Sequence, residues 1–465
     1  MPSAINNPPP RIGIDFGTTH TSAAFYDGQT IRPIPLDAAN NSPNLLRSMI
    51  YINRAQQSSL GVEAVKTFLE HDTGREVIFE DKVVGVITNT VASLDANENV
   101  TIIYDTYIED DVGIRGRLLQ SIKTGLRSDS YTGTDIFGRF YTLQELIALI
   151  LGHVRAQASA HLGQEITHAT LGRPVHFCED AQEDRRAQER LREAAVLAGF
   201  TDIDFVPEPV AAAAFYLETV KQPETALIFD FGGGTLDFTI LHTDGQGGHE
   251  ILATEGVLVG GDDLDSAIMR HLVAPHFGAD APIDVNYDDR PMPFPPDLAS
   301  HLYQWQTIPN LSRPAALKVI QRAIQYSPEP QKFRALETLA TRNHGFALFE
   351  QIEQTKRRLT DDEETPFIFR AENIDLALTI TRRNFHRAMI EEASDVRQGL
   401  RRVLASANLR PTDIDAVVTT GGSSVIPFFQ KMLTDRFPQA RLIPLDTFGG
   451  VTNGLALHAS ATENR

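Results

Sequence analysis

Two aspartates stand at the ends of matching apolar runs, and each is followed by a turn of glycine and threonine. In the segment 11–28, RIGIDFGTTHTSAAFYDG, Asp15 precedes Phe16, Gly17, Thr18 and Thr19. In the segment 226–241, ALIFDFGGGTLDFTIL, Asp230 precedes Phe231, Gly232, Gly233, Gly234 and Thr235, with Asp237 just beyond. Glycines let main-chain N–H groups close around phosphate oxygens, and threonine hydroxyls add donors at the rim. An aspartate ahead of each turn brings a carboxylate to the mouth, where a hydrated Mg²⁺ would find protein partners. Two such turns facing each other would clamp a polyphosphate from both sides. A single turn of this kind is more often an ordinary hairpin; two copies, each with its aspartate, reverse that balance.

Such turns need strands to aim them. Each segment reads as strand, turn, strand, closing at Asp27 and Gly28 in one and near Asp244 and Gly245 in the other, so an internal duplication follows. Each half ends its sheet in a second turn: HATLGRP over 168–174, and AVVTTGGSS over 416–424 running into a helix over 427–433. There Gly421 and Gly422 would let a flat base and ribose lie against the main chain, with Ser423 as a hydroxyl donor.

The helices are legible from caps and periodicity. Thr142 and Glu145 form a capping box, and Leu143, Leu146, Ile147, Ile150 and Val154 then recur as a core stripe. A second helix is expected over 179–198. A third begins at Pro207, Glu208 and Pro209, and its alanines through Ala214 suit close packing between two lobes. Alternating Val and Ile over about 69–108 predict an inserted hairpin. From about 276 to 345 the chain leaves the sheet pattern: Pro291, Pro293, Pro295 and Pro296 mark a loop, and helical stretches follow around 317–324 and 333–340. Trp305 and Tyr303 are expected to pack inside this subdomain, a partner-docking patch being the alternative. The segment 454–461 reads as the closing helix of the second lobe.

Composition narrows the partners. The 465 residues carry 61 acidic against 42 basic side chains, a formal charge of −19, which disfavours nucleic acid and anionic lipid. The one basic cluster, Lys356, Arg357 and Arg358, falls in helical sequence, where a solvated helix face is the plain reading. The single cysteine, Cys178, has no intramolecular disulfide partner and fits a reducing, cytoplasmic compartment. The longest apolar stretch, 210–217, is far short of the roughly 18 residues of a membrane span. Residues 1–10 lack the basic and apolar regions of a signal peptide and read as a disordered tail.

The order of motifs resembles the actin-like ATPase superfamily, and within it the nucleotide-binding domain of DnaK-type heat-shock chaperones, with the shorter YegD-like members most similar. The resemblance runs through IDFGTTHT, LGRPVHF, PEPVAAAAFY, FDFGGGTLDF, GVLVGGDDLDSAI, FEQIEQTKRRLT and TTGGSSVIP. It implies an α/β fold of two related ribonuclease H-like lobes with a nucleotide cleft between them: an N-terminal lobe over 11–207 and a C-terminal lobe over 208–465, the latter with a helical subdomain over about 262–370. It further implies that Asp15 and Asp230 hold a hydrated Mg²⁺, and that Gly17, Thr18, Thr19, Gly232, Gly233, Gly234 and Thr235 wrap the phosphates of ATP or ADP. Glu208 and Asp237 would order the attacking water, Gly260 and Gly261 would line the cleft, and Glu353, Lys356 and Arg357 would contact ribose and adenine. The family's phosphate-side lysine has two candidates, Lys123 and Lys82, with a surface lysine the plain reading of each. Two departures bear on the base: Val425 stands where the family carries an arginine, and 447–451 reads TFGGV in place of a Pro-Asp-Glu-Ala-Val-like pattern.

The resemblance implies a slow Mg²⁺-dependent ATPase whose lobes open and close with nucleotide, partnered by a co-chaperone or protein client, and with the closing helix at 454–461 no linker or β-rich peptide-binding domain is expected. A small-molecule kinase of the same superfamily and an actin-like filament former are the alternatives.

Overall fold

The computed structural model describes residues 10–92, 99–178, 180–218, 220–246, 248–283, 292–445 and 449–463, with main chain only at 81–92, 99–110 and 462–463. The expected tail, apart from Pro10, lies outside the described residues, as do Glu179, Pro291 and Thr447.

One sheet contains β1 (Arg11–Phe16), β2 (His20–Tyr26), β3 (Ile31–Pro33), β4 (Leu45–Arg47), β5 (His168–Arg173) and β6 (Asp202–Pro207). Its order is β6-β5-β1-β2-β3, with β4 also on β2. The second sheet contains β7 (Glu224–Phe231), β8 (Leu236–Thr243), β9 (His249–Val257), β10 (Ala416–Thr420) and β11 (Arg441–Pro444), in the order β9-β8-β7-β10-β11. In each, the first strand runs antiparallel to the next and parallel to a later one, which is itself parallel to the edge strand. The repeat seen around Asp15 and Asp230 therefore extends to the topology of both sheets. The middle of each first strand is covered on both faces: in β1 Ile12, Ile14 and Phe16 are fully buried on one side and Gly13 lies against Leu455 and Ala456 on the other, and in β7 Leu227, Phe229 and Phe231 enter one core and Ala226 and Ile228 another.

Helices α1 (Leu143–Leu162), α2 (Ala181–Leu197), α3 (Glu208–Leu217), α4 (Gly261–Ile268), α5 (Gly345–Asp361) and α6 (Gly450–Glu463) carry most of what positions the cleft. The Thr142–Glu145 box caps α1 as its sequence predicts, and Asp180 caps α2 by accepting from the N–H groups of Gln182 and Glu183. The alanine-rich α3 packs on the second sheet, where Ala211, Ala212 and Tyr216 share a core with Ala226, Ile228 and Val418. Helix α6 corrects an expectation: it lies on β1, β2 and β5 of the first sheet and against α3, rather than closing the second lobe. The two helices cross so closely that a Cβ on Gly454 would overlap the Ala211 carbonyl oxygen. Only glycine fits there, and the alanine face of α3 is what lets it approach.

Above the cleft the lobes touch again. The first lobe carries the helix Gly61–His71, and beyond it the strands Phe79–Ala92 and Asn99–Asp111 pair as a long antiparallel hairpin. The second carries the helices Pro314–Tyr326 and Pro330–Thr341. Tyr303 packs against the core of its subdomain as expected, whereas Trp305 lies at the subdomain's edge, between it and the first lobe. Its ring lies 6.0 Å from that of Phe68 and 5.0 Å from Phe346, and its Nε1 donates to Gln120 Oε1 at 2.7 Å. Its amphipathic ring explains the difference, because the cleft edge offers apolar rings for its body and an amide oxygen for its N–H. Asn343 Nδ2 donates to the Asp72 carbonyl at 2.7 Å, and the amides of Gly74 and Val77 donate to the carbonyls of Arg342 and Thr341. Among the described residues, no helix is long and apolar enough to cross a membrane.

Candidate functional site

The turns after β1 and β7 meet at the base of the cleft. A Cβ on Gly233 would overlap Thr19 Cγ2, and one on Gly234 would stand 2.7 Å from Thr18 Oγ1. The threonines of one lobe thus rest against the glycines of the other, the opposed arrangement that the two sequence motifs predict.

Each turn has its carbonyls tied back by neighbouring segments. In the first, Ser48 donates from Oγ to the Gly17 carbonyl at 2.8 Å and from its amide to the Thr19 carbonyl at 2.9 Å. In the second, the Gly232 carbonyl accepts from the Gly261 amide at 3.1 Å and from Ser423 Oγ at 3.2 Å. The Gly233 carbonyl accepts from the Asp262 amide at 2.9 Å, and the Gly234 carbonyl from Arg127 at 3.1 Å. The amides of Gly233 and Gly234 have no main-chain acceptor among the described residues. With carbonyls engaged and amides free, such a turn is a nest for an anion.

The cavity between the turns is about 420 Å³, within the range of small-molecule sites. Its walls include Asp15, Gly17, Thr18, Thr19, Lys123, Glu208, Asp230, Gly232, Gly233, Gly234, Thr235, Gly261, Glu353, Lys356, Arg357, Gly421, Gly422 and Ser423. Of the residues expected at the site, Gly260 and Asp237 stand behind this wall: Gly260 begins α4 under the second turn, and Asp237 pairs with Asp230 across β7 and β8. Gly421 is in the left-handed region at φ +83°, close to the Phe231 carbonyl, so only glycine turns the chain there without strain.

Lys123 enters from a 3₁₀ turn, Ile122–Arg127, and its Nζ meets Glu208 Oε1 at 2.6 Å. The side chain of Lys82 lies outside the described residues. Lys123 is the basic group that acts on all of Asp15, Asp230 and Asp237. Burial first, and then Glu208, lift Asp15 to about 7 against the pull of Lys123. The same two causes lift Asp237 to about 7, although it accepts hydrogen bonds from Val175 and Thr235. Asp230 is raised well above the ordinary value by burial and by Glu208, Asp237 and Asp15. Four buried carboxylates around one ammonium leave an excess of negative charge that a divalent cation would relieve. Among the described residues, no three His, Cys, Asp or Glu side chains converge as direct ligands. Asp15 and Asp230 both line the cavity with hard oxygen donors, a pair that suits an ion keeping most of its water, as Mg²⁺ does.

The opposite wall is helix α5. Lys356 is drawn toward its own lobe, its Nζ bonding the Gly261 carbonyl at 2.8 Å and Asp265 Oδ2 at 2.7 Å. Burial raises Asp265 to about 7 despite this partner. Glu353 accepts from Arg357 at 2.6 Å and from Arg47 at 3.1 Å. Burial works to raise Glu353, but Arg47, Arg357 and Lys356 outweigh it and hold it below the usual range. His20, buried beside Arg357 and Arg47, falls to about 4 and is neutral. Val425 and Val451, at the two positions where the motifs depart, also line the cavity.

Arg47, Ser48, Arg127, Asp262 and Asp265 join the site without being expected there. Asp262 and Asp265 sit in the quoted GGDDLDSAI motif and were within reach of the resemblance; Arg47 and Ser48 carry no local signal, since strand position alone does not reveal a partner in the other lobe. A protein-family model described as Hsp70 protein matches residues 114–293 and 332–463, together well over half of the chain.

Proposed function

Since this chain belongs to the Hsp70 family, we propose that it binds ATP in the cleft between its lobes and hydrolyses it slowly, in a chaperone-like cycle of opening and closing. The observation that carries the reading is the pair of opposed turns, Thr18 and Thr19 against Gly233 and Gly234, with the carboxylates of Asp15, Glu208 and Asp230 at their mouth and Asp237 behind them.

In this reading the amides of the second turn and the hydroxyls of Thr18, Thr19 and Thr235 bind the phosphate oxygens. Asp15 and Asp230 would hold a hydrated Mg²⁺, which would supply the charge neutralisation that phosphoryl transfer requires. Lys123, kept charged by Glu208 and Asp15, reaches the terminal phosphate. Glu208 orients the attacking water, and Asp237, expected in the same role, stands behind the wall beside Asp230 and acts there as a supporting charge. No strong base is in place, so catalysis rests on positioning and charge, and turnover is slow. Glu353, Lys356 and Arg357 line the ribose and adenine end, and Gly421, Gly422 and Ser423 form its floor. A co-chaperone or client would sense the angle between lobes, which ATP and ADP shift through unequal contacts.

The test is calorimetric titration with ATP, ADP and GTP, with and without Mg²⁺, followed by single-turnover phosphate release. Saturable Mg²⁺-dependent binding and slow release of one phosphate per chain are expected; the absence of any nucleotide binding overturns the reading. One observation favours a second reading, a small-molecule kinase. A further cavity of about 330 Å³, lined by Gln120, Ser121, Thr124, Asp263 and Gln304, borders the phosphate turn at Gly234 and has room for an acceptor. Transfer of labelled γ-phosphate to a metabolite in place of water would favour it.

A further inference from the structure

Arg47 belongs to none of the phosphate or adenosine motifs, yet it reaches across the cleft. It ends β4 beside His20 on β2. Its Nη1 donates to Glu350 Oε2 at 2.8 Å and its Nη2 to Glu350 Oε1 at 2.6 Å, a two-pronged pair with a residue of α5 in the other lobe. The same Nη2 reaches Glu353 Oε2 at 3.1 Å. The side chains are largely shielded, 15% exposed for Arg47 against 18% for Glu350 and 24% for Glu353. Arg47 and Glu353 both line the nucleotide cavity.

Glu353 is therefore gripped from both sides. Its Oε1 accepts from Arg357, one turn along its own helix, and its Oε2 accepts from Arg47 of the opposite lobe. A carboxylate oxygen can accept twice, so each retains a lone pair for a ligand hydroxyl. With Arg47 removed, Glu353 keeps only a partner on its own helix, and one oxygen is free to rotate into water.

We propose that Arg47 is a positioning residue for ribose recognition: from the first lobe it fixes the Glu353 carboxylate of the second, so that the sugar hydroxyls are read fully only when the cleft is closed. This rests on the nucleotide-binding reading above and adds to it the residue that makes sugar recognition depend on closure. A plain inter-lobe ion pair would weaken all nucleotides alike on removal. A positioning role instead erases the discrimination between nucleotides that differ in one hydroxyl.

The experiment measures dissociation constants for ATP, 2′-deoxy-ATP and 3′-deoxy-ATP by calorimetry in the full chain, in Arg47→Ala, in Arg47→Lys and in Glu353→Gln. The intact chain is expected to prefer ATP over one or both deoxy analogues by about tenfold or more, the scale of one hydrogen bond to a charged acceptor. In Arg47→Ala that preference should shrink to about threefold or less, as in Glu353→Gln, and Arg47→Lys should recover part of it because one donor remains. Full discrimination retained in Arg47→Ala, or an equal loss for all three ligands, overturns the inference. If Arg47→Ala does not fold, Arg47→Lys decides it, since undiminished discrimination there combined with undiminished discrimination in Glu353→Gln also overturns it. Failure of the intact chain to bind any nucleotide would instead overturn the nucleotide reading itself, so the two failures are distinct.

Discussion

Truncating Phe68 to alanine should speed nucleotide release. Phe68, on the helix Gly61–His71, is 4% exposed. Its ring lies 5.3 Å from that of Phe346 and 6.0 Å from that of Trp305 across the cleft, and 6.5 Å from Tyr51 in its own lobe. Opening the cleft breaks the first two pairs and keeps the third. At about 0.5–1.5 kcal/mol per aromatic pair, the two cross-cleft contacts favour the closed form by about 1–3 kcal/mol. Removing them should raise the open fraction, and with it the release rate, by roughly 5- to 150-fold. The assay is displacement of a fluorescent ADP analogue by excess ATP in a stopped-flow instrument. Trp305 is the single tryptophan of the chain, so its emission follows opening in the same mixing experiment. The substitution also removes buried surface, at a cost of about 3–5 kcal/mol, so release is compared well below the lowered melting temperature. A release rate within twofold of the parent, with Trp305 emission unchanged, would refute the latch.

Three more outcomes follow from the site and its supports. Asp15→Asn and Asp230→Asn should each abolish hydrolysis, and Asp15→Asn should also raise the melting temperature in chelator at about pH 8, where Asp15 is charged and its removal relieves the over-acidic buried cluster; turnover retained in both variants would refute the two-carboxylate metal site. Asp15, Asp237 and Asp265 all rise to about 7 in the fold, with burial the first cause, whereas an unfolded aspartate titrates near 3.8. Between those values the native chain binds more protons than the unfolded one, so these groups make stability fall as pH rises. His20, lowered by burial from 6.5 to about 4, acts the other way within its own window. Three carboxylates outweigh one imidazole: in chelator, scanning calorimetry should show a melting temperature that falls from pH 5 to 7.5, and Mg²⁺ with ATP should restore more at the higher pH; a flat or rising profile would count against the buried cluster. Finally, Gly454→Ala forces a methyl into the Ala211 carbonyl where α3 and α6 cross, and urea unfolding should show a loss of about 1–3 kcal/mol or more. An unchanged midpoint would mean that the two helices are not in contact.

What could be read along the chain is what short windows encode. The turns at Gly17–Thr19 and Gly232–Thr235, the Thr142 cap and the hairpin pairing of β1 with β2 depend on φ and ψ preferences and hydrogen bonds spanning a few residues, so the residue types alone announced them. Asp15 and Asp230 were legible for the same reason, each being welded to its turn. The repeated motif also pointed to two lobes, because a duplicated strand-turn-strand unit implies a duplicated sheet. What no window contains is the choice of a distant partner. Arg47 meets Glu350 across 303 positions of sequence, and Ser22 Oγ bonds Thr452 Oγ1 across 430. An arginine ending a strand looks the same whether it faces water or a carboxylate in another lobe. Helix α6 was misassigned, and the contact of Trp305 with Phe68 in the other lobe was missed, for this reason: their apolar faces demand burial, but burial energy is non-directional and does not name the surface that supplies it. Only the closed tertiary structure decides that, by setting α3 on one sheet, α6 on the other, and the aromatic rings of both lobes over the cleft.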